Sequence, residues 1–422
     1  MASFHDFALV CQSLGQTSSR LQIAQLAGDF LAKLRTDEAV IAARFMVGRA
    51  LPWDEEKRLQ VSGRAIWRVV TELDPDNAVR GDDIFAGAVD FGEAIEILLR
   101  QRMTDPPPIL TLEEVEQGLL EIAKIEGAHS RRRKFEVLRT LFSRTSAVEG
   151  KYLAKILIRE MRHGMSEGLM LEAIARMAGR PISEIRRAHM LNPDLGHVVR
   201  QFHPASGKQP KSDLTAAVAE DEAARVPAAN SPIETAASSA AKPIRPMLAA
   251  PAPSITAAFS ILGDSLALEY KLDGARVQIH CAPSAVNIFS RRMNDISPSL
   301  PEVTEMMSSI RERRPILDGE VIAVGARGEA LAFQELMRRF GRVRSIERLR
   351  TEQPIRLFVF DLLGIDGDLL IDTAYQQRYD LLAELAAQTG LELAPRIIPA
   401  SVTEGQEFYA GAISAGYEGV MA

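Results

Sequence analysis

Apolar residues recur at helical spacing through the first half of the chain, up to about residue 203. Apolar positions three and four residues apart predict amphipathic helices. The clearest stretches are 17–34, 111–125, 148–164 and 165–179. Thr111 and Glu114 have capping-box spacing, and the third stretch ends at a glycine, as helices often do. Few alternating β-branched runs interrupt this region, so we predict an all-α domain over residues 1–204.

The pattern changes after Pro243, where short runs rich in Val, Ile and Phe are bounded by Gly, Asp and Pro. Runs of this kind predict β-strands. They cover residues 266–274, 276–282, 285–291, 315–325 and 355–367. Helices are predicted at 299–312, 332–340, 374–389 and 402–414. We therefore predict an α+β domain with a largely antiparallel sheet over residues 242–422.

Residues 205–241 separate the two patterns and contain no aromatic residue. The segment is rich in Ala, Ser, Pro and charged residues. It cannot bury enough apolar surface to offset the entropy lost on ordering. We predict that it is a flexible linker between the two domains.

Composition places the 422-residue chain among globular proteins, with 46% hydrophobic and 25% charged residues. Its apolar runs are too short to cross a bilayer, and its N-terminus lacks a secretory pattern. Because Cys11 and Cys281 are its two cysteines, a disulfide framework or a four-cysteine zinc site within this chain is excluded. We expect a cytoplasmic protein without a membrane partner. The net charge of −6 argues against a uniformly basic surface but allows local basic patches.

The stretch EYKLDGARVQIH, residues 269–280, places Lys271 before a tight Asp-Gly turn. A free lysine amine has a pKa of about 10.4, so it becomes a nucleophile only where its surroundings lower that pKa. Gly274 would let the backbone approach a ligand closely. A lysine at a rigid strand end suits covalent nucleotidyl transfer, whereas the alternative is a solvated hairpin lysine. Lys-x-Asp-Gly alone does not decide between the two.

Further motifs follow Lys271 in a fixed order. They are IFSRR with Arg291, LDGEVIA with Glu320, LFVFDLL with Phe360 and Asp361, and YEGVMA with Glu418. The series resembles motifs I, Ia, III, IIIa and IV of the covalent nucleotidyltransferases, and among these the ATP-dependent DNA ligases most closely. PIRPMLA (243–249) and FQELMRR (333–339) are also similar to that family. Residues 156–175 resemble the helical DNA-binding domain of archaeal and eukaryotic ligases. A Walker-type phosphate loop is absent from the sequence.

The resemblance implies a role for each matching residue in ATP chemistry. Lys271 would attack the α-phosphate of ATP, expel pyrophosphate and carry AMP as a phosphoramidate. Glu269 would accept a hydrogen bond from the adenine amino group, with an edge-strand carboxylate as the alternative. Arg276 and Arg291 would hold ribose and phosphate oxygens. Phe360 would stack on adenine, with a core residue as the alternative.

Two glutamates complete the implied site. Glu320 lies among apolar strand residues, and a buried carboxylate needs a partner. The resemblance gives Glu320 the ribose hydroxyl or the metal site, and it gives Glu418 the second acidic position. ATP is then the AMP donor, and Mg²⁺ or Mn²⁺ is the expected metal.

Two basic stretches in the helical domain are candidates for DNA contacts. The first contains Arg131, Arg132, Arg133, Lys134, Arg139 and Arg144, and the second contains Lys151, Lys155, Arg159 and Arg162. The second set, spaced by four, four and three residues, is predicted to share one helical face. Such contacts bind phosphates without reading sequence and weaken with salt. A solvated charged face is the alternative. Amides near Gly164 and a helix start at Ser166 predict a phosphate site.

The family resemblance implies an ATP-dependent DNA ligase that seals nicks in duplex DNA. It would do so through lysyl-AMP, transfer of AMP to the 5′-phosphate, and bond formation with the 3′-hydroxyl. Its implied partners are nicked double-stranded DNA and ATP, it would act as a monomer in replication, repair or recombination, and a sliding clamp is a candidate partner. The alternatives are an RNA ligase or capping-type nucleotidyltransferase, an NAD-dependent ligase, and a non-catalytic DNA-binding scaffold.

The chain stops at Ala422, inside motif IV. Family members continue with a lysine-bearing motif V and a C-terminal OB-fold domain, and neither is in this chain. We therefore expect a truncated chain in which nick sealing is impaired.

Overall fold

Two units make up the chain, Met1–Glu222 and Ala223–Ala422. The computed structural model describes residues 2–52, 59–73, 84, 87–101, 110–206, 242–247, 249–325, 329–331, 333–337, 339 and 346–422. The predicted linker lies outside the described residues from position 207 onward. Its first two residues belong to a 3-10 turn, Pro204–Ser206.

Helices form the first unit throughout its described residues, which confirms the all-α prediction. They are α1 (Phe4–Gly15), α2 (Arg20–Leu31), α3 (Thr36–Met46), α4 (Gly63–Leu73), α5 (Phe91–Arg100), α6 (Leu112–Lys124), α7 (Ser130–Ser143), α8 (Ala147–Ile158), α9 (Glu167–Ala178), α10 (Ile182–Leu191) and α11 (Leu195–Phe202). One apolar core runs through the unit. At its centre Phe7 stacks on Phe4 at 5.5 Å between ring centroids and meets Phe45 edge-on at 6.0 Å.

Helix ends follow local capping chemistry where the side chains allow it. The predicted capping box at Thr111 and Glu114 is confirmed, since each side chain accepts a hydrogen bond from the other residue's backbone N–H. The predicted end of α8 at Gly164 is wrong. Helix α8 stops at Ile158 because Arg159 takes a left-handed conformation with φ of 61°.

The second unit mixes helices and strands, which confirms the predicted α+β class. Its helices are α12 (Ile255–Leu262), α13 (Pro301–Met307), α14 (Phe333–Met337), α15 (Ile346–Glu352), α16 (Tyr375–Thr389) and α17 (Val402–Ser414). Its strands are β1 (Leu268–Lys271), β2 (Ala275–Ala282), β3 (Ala285–Ser290), β4 (Ile316–Ala323), β5 (Ile355–Ile365), β6 (Asp368–Leu369), β7 (Glu392–Leu393), β8 (Arg396–Ile397) and β9 (Gly419–Met421).

These strands form two sheets. The larger has the order β3-β2-β4-β5-β6, and the smaller has the order β8-β1-β9. All neighbours in these orders pair antiparallel, while β7 adds to β5 in parallel. The register between β4 and β5 shifts, because Asp318 pairs with Asp361 and Gly319 pairs with Val359. Phe360 is therefore the extra residue of a β-bulge.

Strand alternation gives the larger sheet one core face and one polar face. In β2, the side chains of Val277, Ile279 and Cys281 enter the main apolar core of the unit, together with α13 and α16 residues. Successive side chains point to opposite faces of a strand. Arg276 and Gln278 therefore share the other face, where the candidate site lies. In the described part of the chain, no helix combines the length and apolarity needed to span a bilayer.

Candidate functional site

Lys271 ends strand β1 beside the start of β9. It pairs in register with Gly419, and the Glu418 N–H donates to the Lys271 carbonyl oxygen at 3.1 Å. The Lys271 ammonium forms a salt bridge with the Glu418 carboxylate, and the two side chains are 46% and 44% exposed. Two motifs almost 150 residues apart in sequence therefore meet at one accessible point of the smaller sheet.

Gly274 brings the turn after Lys271 against strand β4. A Cβ at this position would lie 2.3 Å from the Val321 carbonyl oxygen and 2.8 Å from a methyl carbon of Ile322. Real side chains do not tolerate such distances, so glycine is required. We expected Gly274 to allow close approach to a ligand, whereas the approach observed is to a neighbouring strand. The turn thereby sets Lys271 near Glu320.

Glu320 lies on β4 directly opposite Arg276 of β2. Burial raises the pKa of Glu320 from 4.5 to about 7, while Arg276 and Lys271 act to lower the pKa and Asp273 and Asp318 to raise it. A group with this pKa changes charge near neutral pH. Added positive charge beside Glu320 would shift it toward the carboxylate form.

Arg276 is held in place by a buried carboxylate that sequence reasoning missed. Its Nη2 donates to Asp318 Oδ2 at 2.6 Å, and its Nη1 donates to the Met247 carbonyl oxygen at 3.2 Å. Asp318 is 3% exposed. Burial raises the pKa of Asp318, and the contact with Arg276 opposes that effect. The clue in the sequence was strand alternation, which puts Asp318 and Glu320 on one face of β4.

Gln278 extends this network to residues 242–247, at the start of the described part of the second unit. Its amide nitrogen donates to Asp318 Oδ1 at 3.3 Å and to the Ile244 carbonyl oxygen at 3.0 Å, while its amide oxygen accepts from the Ile244 N–H at 2.7 Å. Arg291, exposed after β3, lines a small pocket together with Arg276 and Asp318. The two predicted arginines therefore border the same pocket.

Phe360 lies on the same face of β5 as Phe358, because Leu357 and Val359 alternate with them and enter the main apolar core. The β-bulge at Phe360 then returns Leu362 to the core face. The ring centroid lies 5.5 Å from the Arg276 guanidinium carbon, within cation–π range. Phe360 is half-buried rather than part of the main core, whereas Phe358 is buried. The Arg276 guanidinium therefore lies over the half-buried Phe360 ring on the polar side of the sheet.

Glu269 lies two residues before Lys271 and is largely enclosed, with its side chain 14% exposed. The Tyr375 hydroxyl of α16 donates to Glu269 Oε1. Arg396, paired with Glu269 across β1 and β8, places its Nε 3.6 Å from the same oxygen. Burial raises the pKa of Glu269, and Tyr375 and Arg396 oppose that effect. Sequence reasoning did not single out Tyr375 or Arg396, since no local pattern links them to Glu269.

The carboxylates of Glu320 and Glu418 fit a divalent cation only together with ligands from a substrate. In the described ranges, no group of three or more His, Cys, Asp or Glu side chains could form an all-protein metal site. Mg²⁺ is commonly held by one or two carboxylates plus substrate phosphates. Both glutamates interact with Lys271, and burial keeps the pKa of Glu320 raised although Arg276 and Lys271 act to lower it. These features suit a cation bound with a nucleotide.

The first basic stretch lies on α7 of the helical unit. Arg131 and Arg132 are exposed, and Arg133 is exposed while donating to the Glu126 carbonyl oxygen at 2.5 Å. Lys134 is half-buried and donates to the Leu59 carbonyl oxygen at 3.1 Å. Part of this stretch therefore stabilises the domain, while Arg131 and Arg132 face outward.

Helix α4 packs beside α7 and brings two arginines that sequence reasoning missed. Arg64 and Arg68 are exposed. The Arg68 guanidinium carbon lies 5.3 Å from the Phe135 ring centroid of α7, and its Nε contacts Glu72 at 2.7 Å. Arg131, Arg132 and Arg133 together with Arg64 and Arg68 form what we call the α4–α7 basic surface.

The prediction that Lys151, Lys155, Arg159 and Arg162 share one exposed helical face is wrong. Lys151 contacts Glu96 at 2.7 Å, and Lys155 contacts Asp90 at 2.7 Å with its side chain only 6% exposed. Both lysines lie against α5 and not toward solvent. Arg159 and Arg162 are exposed, but they follow the end of α8 and both have positive φ.

The helix start at Ser166 is confirmed. The Ser166 side chain accepts from the Leu169 N–H at 3.3 Å and caps α9. The first residue of that helix is Glu167, which contacts Arg49 at 2.7 Å. A phosphate site near Gly164 and Ser166 stays a prediction.

Comparison with protein families matches both units. The model described as "DNA ligase N terminus" covers residues 3–175, and the model described as "ATP dependent DNA ligase domain" covers residues 246–422. Together they account for most of the chain.

Archaeal DNA ligases are among the similar relatives. A DNA ligase of Thermococcus onnurineus is 32% identical over 97% of this chain and 69% of its own length. A DNA ligase of Methanothrix thermoacetophila is 32% identical over 100% of this chain and 72% of its own length. A solved structure called Pmar-Lig_Pre has a TM-score of 0.51 at 14% identity, covering 98% of this chain and 73% of that one. The last comparison concerns the fold alone.

Proposed function

Because this chain belongs to the ATP-dependent DNA ligase family, we propose that it serves nick sealing in duplex DNA through AMP carried on Lys271. The observation that carries the proposal is the contact between Lys271 and Glu418 beside the facing pair Arg276 and Glu320. This arrangement brings the candidate nucleophile Lys271, two carboxylates and the Arg276 guanidinium into one site.

ATP would enter the polar side of the second unit with its base near Phe360. The Phe360 ring would stack on adenine, and Glu269 would accept from the adenine amino group. Arg276 and Arg291, which border one pocket, would hold ribose and phosphate oxygens through their guanidinium groups. Asp318 fixes the orientation of Arg276, so the arginine is in position before the nucleotide arrives.

The first chemical step forms a bond between Lys271 Nζ and the α-phosphorus. Lys271, whose side chain is 46% exposed, loses a proton to solvent, and its freed lone pair attacks phosphorus. The P–O bond to pyrophosphate breaks, and pyrophosphate leaves with that electron pair. A divalent cation held by Glu320 and Glu418 would neutralise charge on the phosphate oxygens.

The later steps transfer AMP to DNA. A 5′-phosphate oxygen attacks the phosphoramidate phosphorus, and the N–P bond breaks to return the Lys271 amine. The 3′-hydroxyl then attacks the 5′-phosphorus, forming the phosphodiester and releasing AMP. In this scheme the α4–α7 basic surface contacts the duplex backbone, with Arg131 and Arg132 as the leading cations. Lys151 and Lys155 are left out of that surface because they are paired inside the domain.

The family matches support this reading over the alternatives that the sequence left open. The match to a DNA ligase N-terminal model supports DNA as substrate rather than RNA or an mRNA cap. The match to an ATP-dependent domain supports ATP rather than NAD as the AMP donor. The pairing of Lys271 with Glu418 supports a working site rather than a non-catalytic scaffold.

The proposal is tested by incubating the chain with magnesium and ATP labelled at the α- or γ-phosphate. We expect α-label, but no γ-label, to become covalently bound, and we expect mass spectrometry to locate AMP on Lys271. The Lys271→Ala variant should take up no label. Label retained in that variant, or an adduct on another residue, would contradict the assignment of Lys271.

A further inference from the structure

The hydroxyl of Tyr375 contacts both residues that would hold the base. It donates to Glu269 Oε1, and it lies 3.5 Å from the Phe360 carbonyl oxygen. Tyr375 is the first residue of α16, and it is separated from Glu269 by 106 positions in sequence. The contact therefore exists only in the folded second unit.

The two oxygens of Glu269 have different surroundings. Oε1 accepts a hydrogen bond from the Tyr375 hydroxyl and lies 3.6 Å from Arg396 Nε. Arg396 is itself fixed, since its guanidinium carbon stacks 3.8 Å from the Tyr379 ring centroid and its Nη2 donates to Gln376 at 2.9 Å. Among the described residues, none donates a hydrogen bond to Oε2. The Glu269 side chain retains 14% exposure.

A carboxylate fixed by one oxygen presents the other as an oriented acceptor. The exocyclic amino group of adenine donates a hydrogen bond, whereas guanine carries a carbonyl oxygen at the corresponding ring position. An ionised Glu269 would therefore attract adenine and repel guanine. A site that leaves such a polar group unpaired or repelled discriminates strongly between ligands.

We propose that Tyr375 is a positioning residue that makes this site select adenine over guanine nucleotides, by holding Glu269 Oε1 so that Oε2 meets the base. The inference rests on the proposed function, which assigns Glu269 to the adenine amino group. Tyr375 acts through Glu269 and does not itself contact the reacting phosphate.

The charged groups around Glu269 make nucleotide selection depend on pH. Burial raises the pKa of Glu269, Tyr375 and Arg396 oppose this, and Asp361 adds to it. Asp361 is paired with Arg378 at 2.8 Å. Removing the Tyr375 hydroxyl raises the pKa of Glu269 further. ATP binding needs the ionised form of Glu269. As pH is lowered, the variant should therefore lose ATP affinity at a higher pH than the unchanged protein does. The protonated form can donate to the guanine carbonyl, so discrimination weakens as pH falls.

The test measures equilibrium binding of magnesium–ATP and magnesium–GTP in a Lys271→Ala background, where no covalent step consumes the nucleotide. Adding Tyr375→Phe should weaken ATP binding about tenfold at neutral pH, as expected for loss of a hydrogen bond to a charged group. GTP binding should not weaken. The ATP preference should recover as pH is raised through the shifted pKa of Glu269.

Tyr379→Phe is the matched control, because it removes a hydroxyl from the same helix beside Arg396 without a contact to Glu269. It should leave the ATP-to-GTP affinity ratio unchanged, and thermal melting of each variant checks folding. Equal weakening of both nucleotides by Tyr375→Phe at every pH would overturn the proposal. Adenine-selective binding that depends on Tyr375, without an adduct in the Lys271 protein, would instead reject the lysyl-AMP step alone.

Discussion

Two lysines, Lys155 in the first unit and Lys271 in the second, carry the same charge but differ in burial and in their partners. Lys155 is 6% exposed, contacts Asp90 at 2.7 Å and donates to the Met161 carbonyl oxygen at 3.3 Å. Lys271 is 46% exposed and meets one carboxylate, Glu418, at the edge of a polar face. A buried lysine with every partner supplied by the fold is structural. A half-exposed lysine at the edge of a polar face can react with a ligand.

The surroundings of Lys155 reinforce this difference. A Cβ on Gly92 would lie 2.5 Å from the Lys155 side chain, so the lysine stem packs directly on α5. Burial alone would raise the pKa of Asp90, yet its hydrogen bond with Lys155 keeps that pKa below the ordinary value. The pair is therefore ionised and internally satisfied. The Lys155 ammonium is therefore not positioned to bind a phosphate.

The largest effect is expected at Lys271. Lys271→Ala should reduce the rate of covalent AMP labelling by at least about a thousandfold, since the nucleophile is lost. The free energy of unfolding should change little, because partly exposed ion pairs contribute about 0–1 kcal/mol. Time courses of labelling with α-labelled ATP and urea unfolding measure the two quantities. Labelling of the variant near the original rate would remove Lys271 from the mechanism.

Lys155→Met should show the opposite pattern. Leaving Asp90, whose side chain is 13% exposed, without its partner should lower the free energy of unfolding by about 3 kcal/mol, the lower end of the range for a buried ion pair. Adduct formation at Lys271 should persist at temperatures where the variant is folded. In the double variant with Asp90→Asn, the stranded charge is gone and part of the stability should return. If the single variant is as stable as the original protein, the structural role of Lys155 is wrong.

Glu320 should give the stability of the protein a pH dependence. Its pKa is raised by burial from 4.5 to about 7, so the folded state binds a proton that the unfolded state releases. The stabilising contribution is complete below about pH 4.5 and is lost as pH rises through 7, by about 3 kcal/mol at most. Glu320→Gln should remove this slope in urea unfolding measured from about pH 5 to pH 8. Parallel curves for the two proteins would show that Glu320 is not perturbed.

The smallest effect concerns the α4–α7 basic surface. Replacing Arg131 and Arg132 by alanine should reduce the slope of log affinity against log salt by about 2, near 0.9 for each phosphate contact. Arg20→Ala, which removes an exposed cation at the start of α2, is the control. Fluorescence anisotropy with nicked duplex at several salt concentrations measures the slope. A slope unchanged by the double variant would place the DNA elsewhere.

Periodicity predicted the fold class of both units but could not predict the partners of charged side chains. Lys151 and Lys155 fall on a regular helical stripe, yet α5 covers that stripe and supplies Glu96, while its N-cap residue is Asp90. Helical spacing defines a face, and only packing decides what lies against it. The end of α8 at Ile158 could not be predicted either. It depends on the left-handed conformation of Arg159, and no local sequence pattern indicates that conformation.

The sequence alone predicted the α+β class of the second unit from its strand and helix patterns, and the order of its motifs named a candidate nucleophile and candidate ATP contacts. Such features are local, since a tight Asp-Gly turn and strand alternation depend on neighbouring residues. Tertiary structure decided which distant groups meet. It joined Lys271 to Glu418, set Asp318 beneath Arg276 and brought Tyr375 to Glu269. These contacts depend on strand register and helix docking, which are fixed by burial of the whole core.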